Sequence, residues 1–234
     1  MSPIVNGQDY RLIVGLDIGS ANITCSVGQA NTSTNSIKLR GISSISSSGI
    51  KRGVITNRNA LIDTLENVIN DAERMANVKI TNTILSITGE HIRSLNTQAA
   101  IPLNKINGAK GGISERAIND ADIFQVLDLA QAVSLPSDRD ILHTLPQEYL
   151  VDTLDEIKDP TGMFGRRLEG RVHLITAART AMSNLVRCVE ELGISVDGLV
   201  FQPLASGIAT LERDEMELGV TLVEIGSSTT NIAI

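Results

Sequence analysis

Leu12-Ile13-Val14-Gly15-Leu16-Asp17-Ile18-Gly19-Ser20-Ala21-Asn22-Ile23-Thr24-Cys25-Ser26-Val27-Gly28 reads as two short strands joined by a tight polar turn. Leu12 to Ile18 is almost continuously apolar, the pattern of a strand buried on both faces. Ile23 to Val27 resumes an extended run with β-branched residues. Asp17 is the residue that is not merely structural. A carboxylate inside an apolar strand costs free energy unless a metal ion or an ordered water pairs with it. Gly19 lets backbone N–H groups approach a ligand closely, and Ser20 and Asn22 add side-chain hydrogen-bonding groups. A hairpin tip with bare amides suits an anion such as a phosphate. An ordinary hairpin with an Asp at its strand end fits the same letters.

Gly219-Val220-Thr221-Leu222-Val223-Glu224-Ile225-Gly226-Ser227-Ser228-Thr229-Thr230-Asn231-Ile232-Ala233-Ile234 repeats the plan. An apolar strand ends in a carboxylate, then comes Ile-Gly, a small polar turn and a returning apolar strand. Asp17-Ile18-Gly19-Ser20 and Glu224-Ile225-Gly226-Ser227 are the two copies, about 200 residues apart. A helix opened by Gln202-Pro203 precedes the second copy. Two facing loops of this kind can clamp a polyphosphate and a divalent metal between two lobes, with Asp17 and Glu224 lining a shared crevice.

The bulk composition narrows the classes. The chain has 234 residues, enough for one or two domains, and 42% of them are hydrophobic, as in globular proteins. A net charge of −7, 2% aromatics and no Trp argue against nucleic acid as a main partner. No apolar run reaches the length of a membrane span. Met1 to Tyr10 lacks a basic region followed by an apolar core, so no secretory signal is expected. Cys25 and Cys188 form neither a metal nor a disulfide pattern, as expected of a reducing cytosol.

Between the two hairpins the pattern alternates strands and helices. Ile37 to Ile45 is a third strand, and Gly49 to Ile55 is a sharp bend. Its Lys51 and Arg52 read as solvated charges, with contact to an acidic ligand as the alternative. Asn59 to Val78 is an amphipathic helix and Ile80 to Thr88 a strand, so the first part is a mixed sheet with a helix on one face. Ser94 to Glu169 changes texture and reads as an inserted α+β subdomain. It holds a strand at Leu95–Leu103, a loop at Asn107–Gly112, a helix from Glu115 to Leu135 capped by Ser114, and an extended run at Ile141–Val151. Asp120, Asp122 and Asp128 on that helix read as a solvated face with no partner base. Arg171–Ala178 is a strand again, and Thr180 caps a helix over Ala181–Leu192 that Gly193 ends. A strand at Val196–Phe201 follows, and Glu212–Glu217 is a charged connector. The fold class is α/β, divided at 1–93, 94–169, 170–213 and 214–234.

The paired hairpins resemble those of the actin-like ATPase superfamily. More narrowly, the chain resembles the FtsA family of bacterial cell-division proteins. Beyond Gly219–Ile234, the resemblance is carried by Ser48–Ile55, Ile84–Ile92, Asp138–His143, Leu145–Tyr149 and Ile157–Met163. It implies an actin-like (ribonuclease-H-like) mixed sheet with flanking helices and an inserted SHS2-like subdomain, 1C. Residues 1–93 and 170–213 would then form subdomain 1A, and 214–234 would start an incomplete second lobe, 2A. Members bind ATP between the lobes, form filaments and tie the FtsZ ring to the cytoplasmic face of the cell membrane. They also recruit later division proteins. The membrane helix and the FtsZ-tail site of the family match no segment of this chain.

The resemblance also implies roles. Asp17, Gly19, Ser20 and Asn22 occupy the first phosphate loop. Gly226, Ser227, Ser228, Thr229 and Thr230 occupy the second. Gln202 stands where relatives position a water, Glu224 is the second catalytic candidate, and Asp17 and Glu224 face Mg2+ through water. The usual second loop is Asp-Ile-Gly-Gly-Gly-Thr-Thr-Asp, so Glu224, Ser227, Ser228 and Asn231 depart from it, and Asn22 stands where the family often has Lys. Slow hydrolysis at most is therefore expected, because phosphoryl transfer rests on positioning and electrostatics. A sugar-kinase-branch phosphotransferase and a pilus-assembly type of adaptor are the alternative readings.

Overall fold

A computed structural model describes residues 10–103 and 115–234. The expected Asn107–Gly112 loop, the Ser114 cap and the first nine residues lie outside that range. The chain divides into two compact units, one of Met1–His91 with Ala178–Ile234, the other of Ile92–Ala177.

The first unit opens with β1 (Tyr10–Ile18), β2 (Asn22–Asn31) and β3 (Ser36–Ser46), then the short β4 (Ile50–Lys51) and β5 (Val54–Ile55), helix α1 (Arg58–Ala76) and β6 (Asn82–Ile87). The second unit holds β7 (Arg93–Pro102), β8 (Arg116–Ala117), α2 (Asp120–Gln131), β9 (Arg139–Val151), β10 (Leu154–Ile157), β11 (Phe164–Gly165) and β12 (Arg167–Ala178). The chain returns to the first unit with α3 (Arg179–Glu190), β13 (Ser195–Phe201), α4 (Gln202–Thr210), α5 (Arg213–Leu218), β14 (Leu222–Ile225) and β15 (Thr230–Ala233).

The main sheet of the first unit has the order β13-β6-β1-β2-β3. β1 runs antiparallel to β2 and parallel to β6, so the sheet is mixed as expected. β1 is not buried on both faces. Val14, Leu16 and Ile18 are buried, whereas Ile13, Gly15 and Asp17 are only partly covered. The alternation puts Asp17 on the more open of the two faces, where it is still partly buried. α1 packs on β2 and β3 and buries Leu61, Leu65, Val68, Ile69 and Ala72. Each of the four larger side chains contributes about 1.5–3 kcal/mol by leaving water. Asn57 caps α1 by accepting from the Ala60 amide at 3.2 Å, and Asn77 ends it in the left-handed region at φ 53°.

Three helix readings change. α2 starts at Asp120, not Glu115, because Arg116–Ala117 pairs with β11 and Asn119 forms a capping box with Asp122. α3 starts at Arg179 after Ala178, with no side-chain cap, so Thr180 lies inside the helix instead of capping it. The connector at Glu212–Glu217 is largely the helix α5, nucleated by a capping box between Glu212 and Glu215.

The second unit is a four-stranded sheet, β10-β9-β12-β7, with α2 packed on β7. Ile101, Ile118, Val126, Val151 and Leu168 form one buried cluster. Its edge differs from the expected one. β12 stays paired with β7 as far as Thr176, so residues 170–177 belong to the insert's sheet. Asp122 also departs from the solvated face expected of Asp120, Asp122 and Asp128. It is buried and takes two bonds from the Arg116 guanidinium, at 2.5 and 2.6 Å.

Candidate functional site

The site lies within the first unit, where the two hairpin tips meet. Each tip closes in the same way. The Gly19 amide donates to Asn22 O at 3.1 Å, and the Gly226 amide donates to Thr229 O at 2.9 Å. The strand registers also correspond: Asp17 stands opposite Thr24, and Glu224 opposite Asn231. The internal repeat read from the sequence is thus a repeat of backbone conformation.

A polar hollow of about 300 Å³ lies between the tips. Asp17, Gly19, Ser20, Asn22, Gln202, Glu224, Gly226, Ser227, Ser228 and Thr229 all line it. Thr230, expected among the loop residues, is not in the lining and pairs with Ile225 in the β14–β15 ladder instead. Thr24, Gly53, Thr88 and Asn231 add to the wall, with Ile18, Ala21 and Ile225 beside the tips. Thr24, Gly53 and Thr88 were missed as lining residues because strand pairing and the β4–β5 bend bring them in.

That bend is built against the loop after β6. Gly53 has φ +75°, and a side chain there would put Cβ 2.0 Å from Thr88 O. Arg52 is correspondingly not a free solvated charge. Its amide donates to Ser20 Oγ at 3.0 Å, and its guanidinium pairs with Glu90 at 3.2 Å. Ser20 accepts from Arg52, so its own hydrogen is left to donate toward the hollow.

Electrostatics at the floor are set by two carboxylates. Burial pushes the Asp17 carboxyl above 3.8, a hydrogen bond from Ser86 Oγ lowers it, and the neighbouring Glu224 charge raises it again. Among the described residues, no Lys or Arg lines the hollow. Among the described residues, no group of three or more His, Cys, Asp and Glu gathers as a metal cluster. Two carboxylates without a cation between them fit Mg2+, which takes one or two protein carboxylates and completes its shell with water and phosphate oxygens. The glycine tips fit a phosphate as well. A Cβ on Gly19 would lie 2.8 Å from Asn22 O, and Ser228 Oγ is buried with no hydrogen-bond partner.

Comparison with known proteins places the chain. Over 227 residues it is 40% identical to the cell division protein FtsA of Pseudomonas aeruginosa, covering 97% of this chain and 52% of that one. It is 33% identical to FtsA of Escherichia coli over 231 residues, covering 99% of this chain and 52% of the relative. Residues 89–176 match the family described as the SHS2 domain inserted in FtsA. The chain belongs to the FtsA family. It spans about half the length of the curated FtsA relatives it matches. The FtsA-type SHS2 match coincides closely with the second compact unit, Ile92–Ala177. The fold is actin-like. A solved PilM–PilN type IV pilus biogenesis complex shares it at a TM-score of 0.61 and 13% identity, over 94% of this chain and 56% of that one. At that identity the likeness speaks for fold alone. No helix among the described residues is long and apolar enough to cross a membrane.

Proposed function

We propose that this chain carries the phosphate-gripping part of an ATP-binding division scaffold. The observation that carries the reading is the shared hollow lined by Asp17 and Glu224 at the tips of two equivalent hairpins. Mg2+, when bound with ATP, supplies the positive charge that the hollow lacks. Asp17 and Glu224 would hold it through its water ligands, and the Gly19 and Gly226 turns would let backbone approach the phosphates. Gln202, which lines the hollow, would position a water. Because Glu224, Ser227 and Ser228 crowd the second loop, the chain binds nucleotide and hydrolyses it slowly at most.

In the whole protein, ATP binding would support filament formation, and those filaments would tie the FtsZ ring to the cytoplasmic face of the membrane and recruit later division proteins. Residues 214–234 would open the second lobe. The insert favours this role over a sugar-kinase reading, because residues 89–176 match the SHS2 domain inserted in FtsA. Titration calorimetry of Mg–ATP into the chain tests the chemistry: saturable heat lost in Asp17→Ala is expected, and no heat at millimolar nucleotide would overturn it. Depleting the gene product tests the role. Unseptated filamentous cells are expected; normal septation would point to the pilus-type adaptor instead.

A further inference from the structure

Asn231 stands directly across from Glu224 in the β14–β15 ladder, and its side-chain amide donates in two directions. Nδ2 reaches Glu224 Oε2 at 3.3 Å and Thr88 Oγ1 at 3.0 Å. Thr88 lies in the loop after β6, 143 residues earlier in the chain. All three residues line the hollow and are partly buried. An amide nitrogen carries two hydrogens, so one atom can serve both acceptors at once. A carboxylate in its place would have no hydrogen to give and would face Glu224 with a like charge.

Among the described residues, β14 and β15 pair only with each other and join no strand of the main sheet. The backbone ladder therefore does not fix the second hairpin against the first. A side-chain tie from Asn231 to Thr88 links the second hairpin to the loop that also holds Gly53 and the Arg52 bend. The same nitrogen restrains the Glu224 carboxylate. We propose that Asn231 is a positioning residue: it holds Glu224 in register with Thr88 and so sets the affinity of the hollow for a Mg–nucleoside triphosphate. This rests on the nucleotide reading above.

Two measurements on the 234-residue chain test it. The first needs no nucleotide: the side-chain amide protons of Asn231 are followed by NMR. Thr88→Val should shift one of the two protons, Glu224→Ala should shift the other, and Thr88→Ser should leave the wild-type pattern. The second is calorimetry with Mg–ATP. Thr88→Val should weaken binding about fivefold, the size of one neutral hydrogen bond. Asn231→Ala should weaken it at least about tenfold, since two bonds go. In the Asn231→Ala background Thr88→Val should add nothing, whereas Thr88→Ser in the wild type should leave affinity unchanged. A merely structural tie would lower the melting temperature without this coupling.

Unmoved amide protons in Thr88→Val would overturn the crosspiece, as would additive losses of affinity. A wild-type chain that binds no Mg–ATP would overturn the nucleotide reading and the positioning role together. That failure is distinguishable, because the amide signals report the geometry without nucleotide.

Discussion

The hydroxyl of Ser86, on β6, donates to Oδ1 of Asp17 on the neighbouring strand β1. Those two residues are 69 positions apart, and the parallel pairing of β1 with β6 is what brings them together. The bond offsets part of the cost of holding a partly buried carboxylate beside Glu224. In Ser86→Ala that offset is lost, so the Asp17 carboxyl should move further up. Mg–ATP affinity at pH 7 should fall by at least about tenfold, the lower end of the range for a hydrogen bond to a charged group. Carboxyl NMR of Asp17 against pH would check it, and an unmoved titration would count against the bond.

Asp17 itself should be a site where function costs stability. Its carboxyl is raised above 3.8 by burial and by Glu224, so ionisation is less favourable in the folded chain than in the unfolded one. A raised group contributes stability fully below its unfolded value and loses it as pH rises through the folded value. Asp17→Asn should therefore melt about 2–4 °C higher at pH 7, the shift for about 1 kcal/mol in a chain of this size. The difference should close below pH 3.8, where both forms are neutral. A melting curve at each pH without nucleotide decides it.

The Arg116–Asp122 pair should anchor the inserted unit. Bonds from Arg116 and the Asn119 amide hold the Asp122 carboxyl below 3.8 although burial opposes them. A lowered carboxyl contributes stability above its unfolded value and loses it as pH falls through the folded one, so the loss begins below pH 3.8. Asp122→Asn leaves a guanidinium without its counter-charge and weakens the capping box, which should cost about 3 kcal/mol. Hydrogen exchange of α2 and β7 amides would show it. Protection equal to wild type would mean that the pair is dispensable.

Gly53→Ala should damage the hollow from outside its carboxylates. The new Cβ meets Thr88 O in a left-handed backbone conformation, at a cost of about 1–3 kcal/mol. Thr88 must move, and Asn231 with it, so Mg–ATP binding should weaken along with stability. A variant that melts lower but binds nucleotide as the wild type does would separate the bend from the site.

Both thiols should resist modification until the chain unfolds. Cys25 is fully buried and its thiol is pushed up to about 11, chiefly by burial, and Cys188 lies on the buried face of α3. A thiol reagent at pH 8 should find neither in the native chain and two in denaturant. Fast native labelling of Cys25 would contradict the packing of α1 on β2.

Sequence by itself determined the repeating unit: strand, carboxylate, Ile-Gly, polar turn, strand. That pattern is local, and local backbone preferences decide it. It also located α1, β6, β13 and the Gln202-Pro203 helix start, because periodicity and turn residues are read within a few positions. The resemblance in the insert was likewise legible as runs of neighbouring residues. The tertiary structure decided which face each strand turned to solvent, and so why Asp17 sits on an open face rather than in a sealed strand. It decided that Asp122 meets Arg116, that Arg52 caps Ser20, and that β12 belongs to the insert's sheet. It also brought Ser86 to Asp17 and Thr88 to Asn231. Those are pairings between residues far apart in the chain, and no local preference encodes them; they form only when the sheet order is complete.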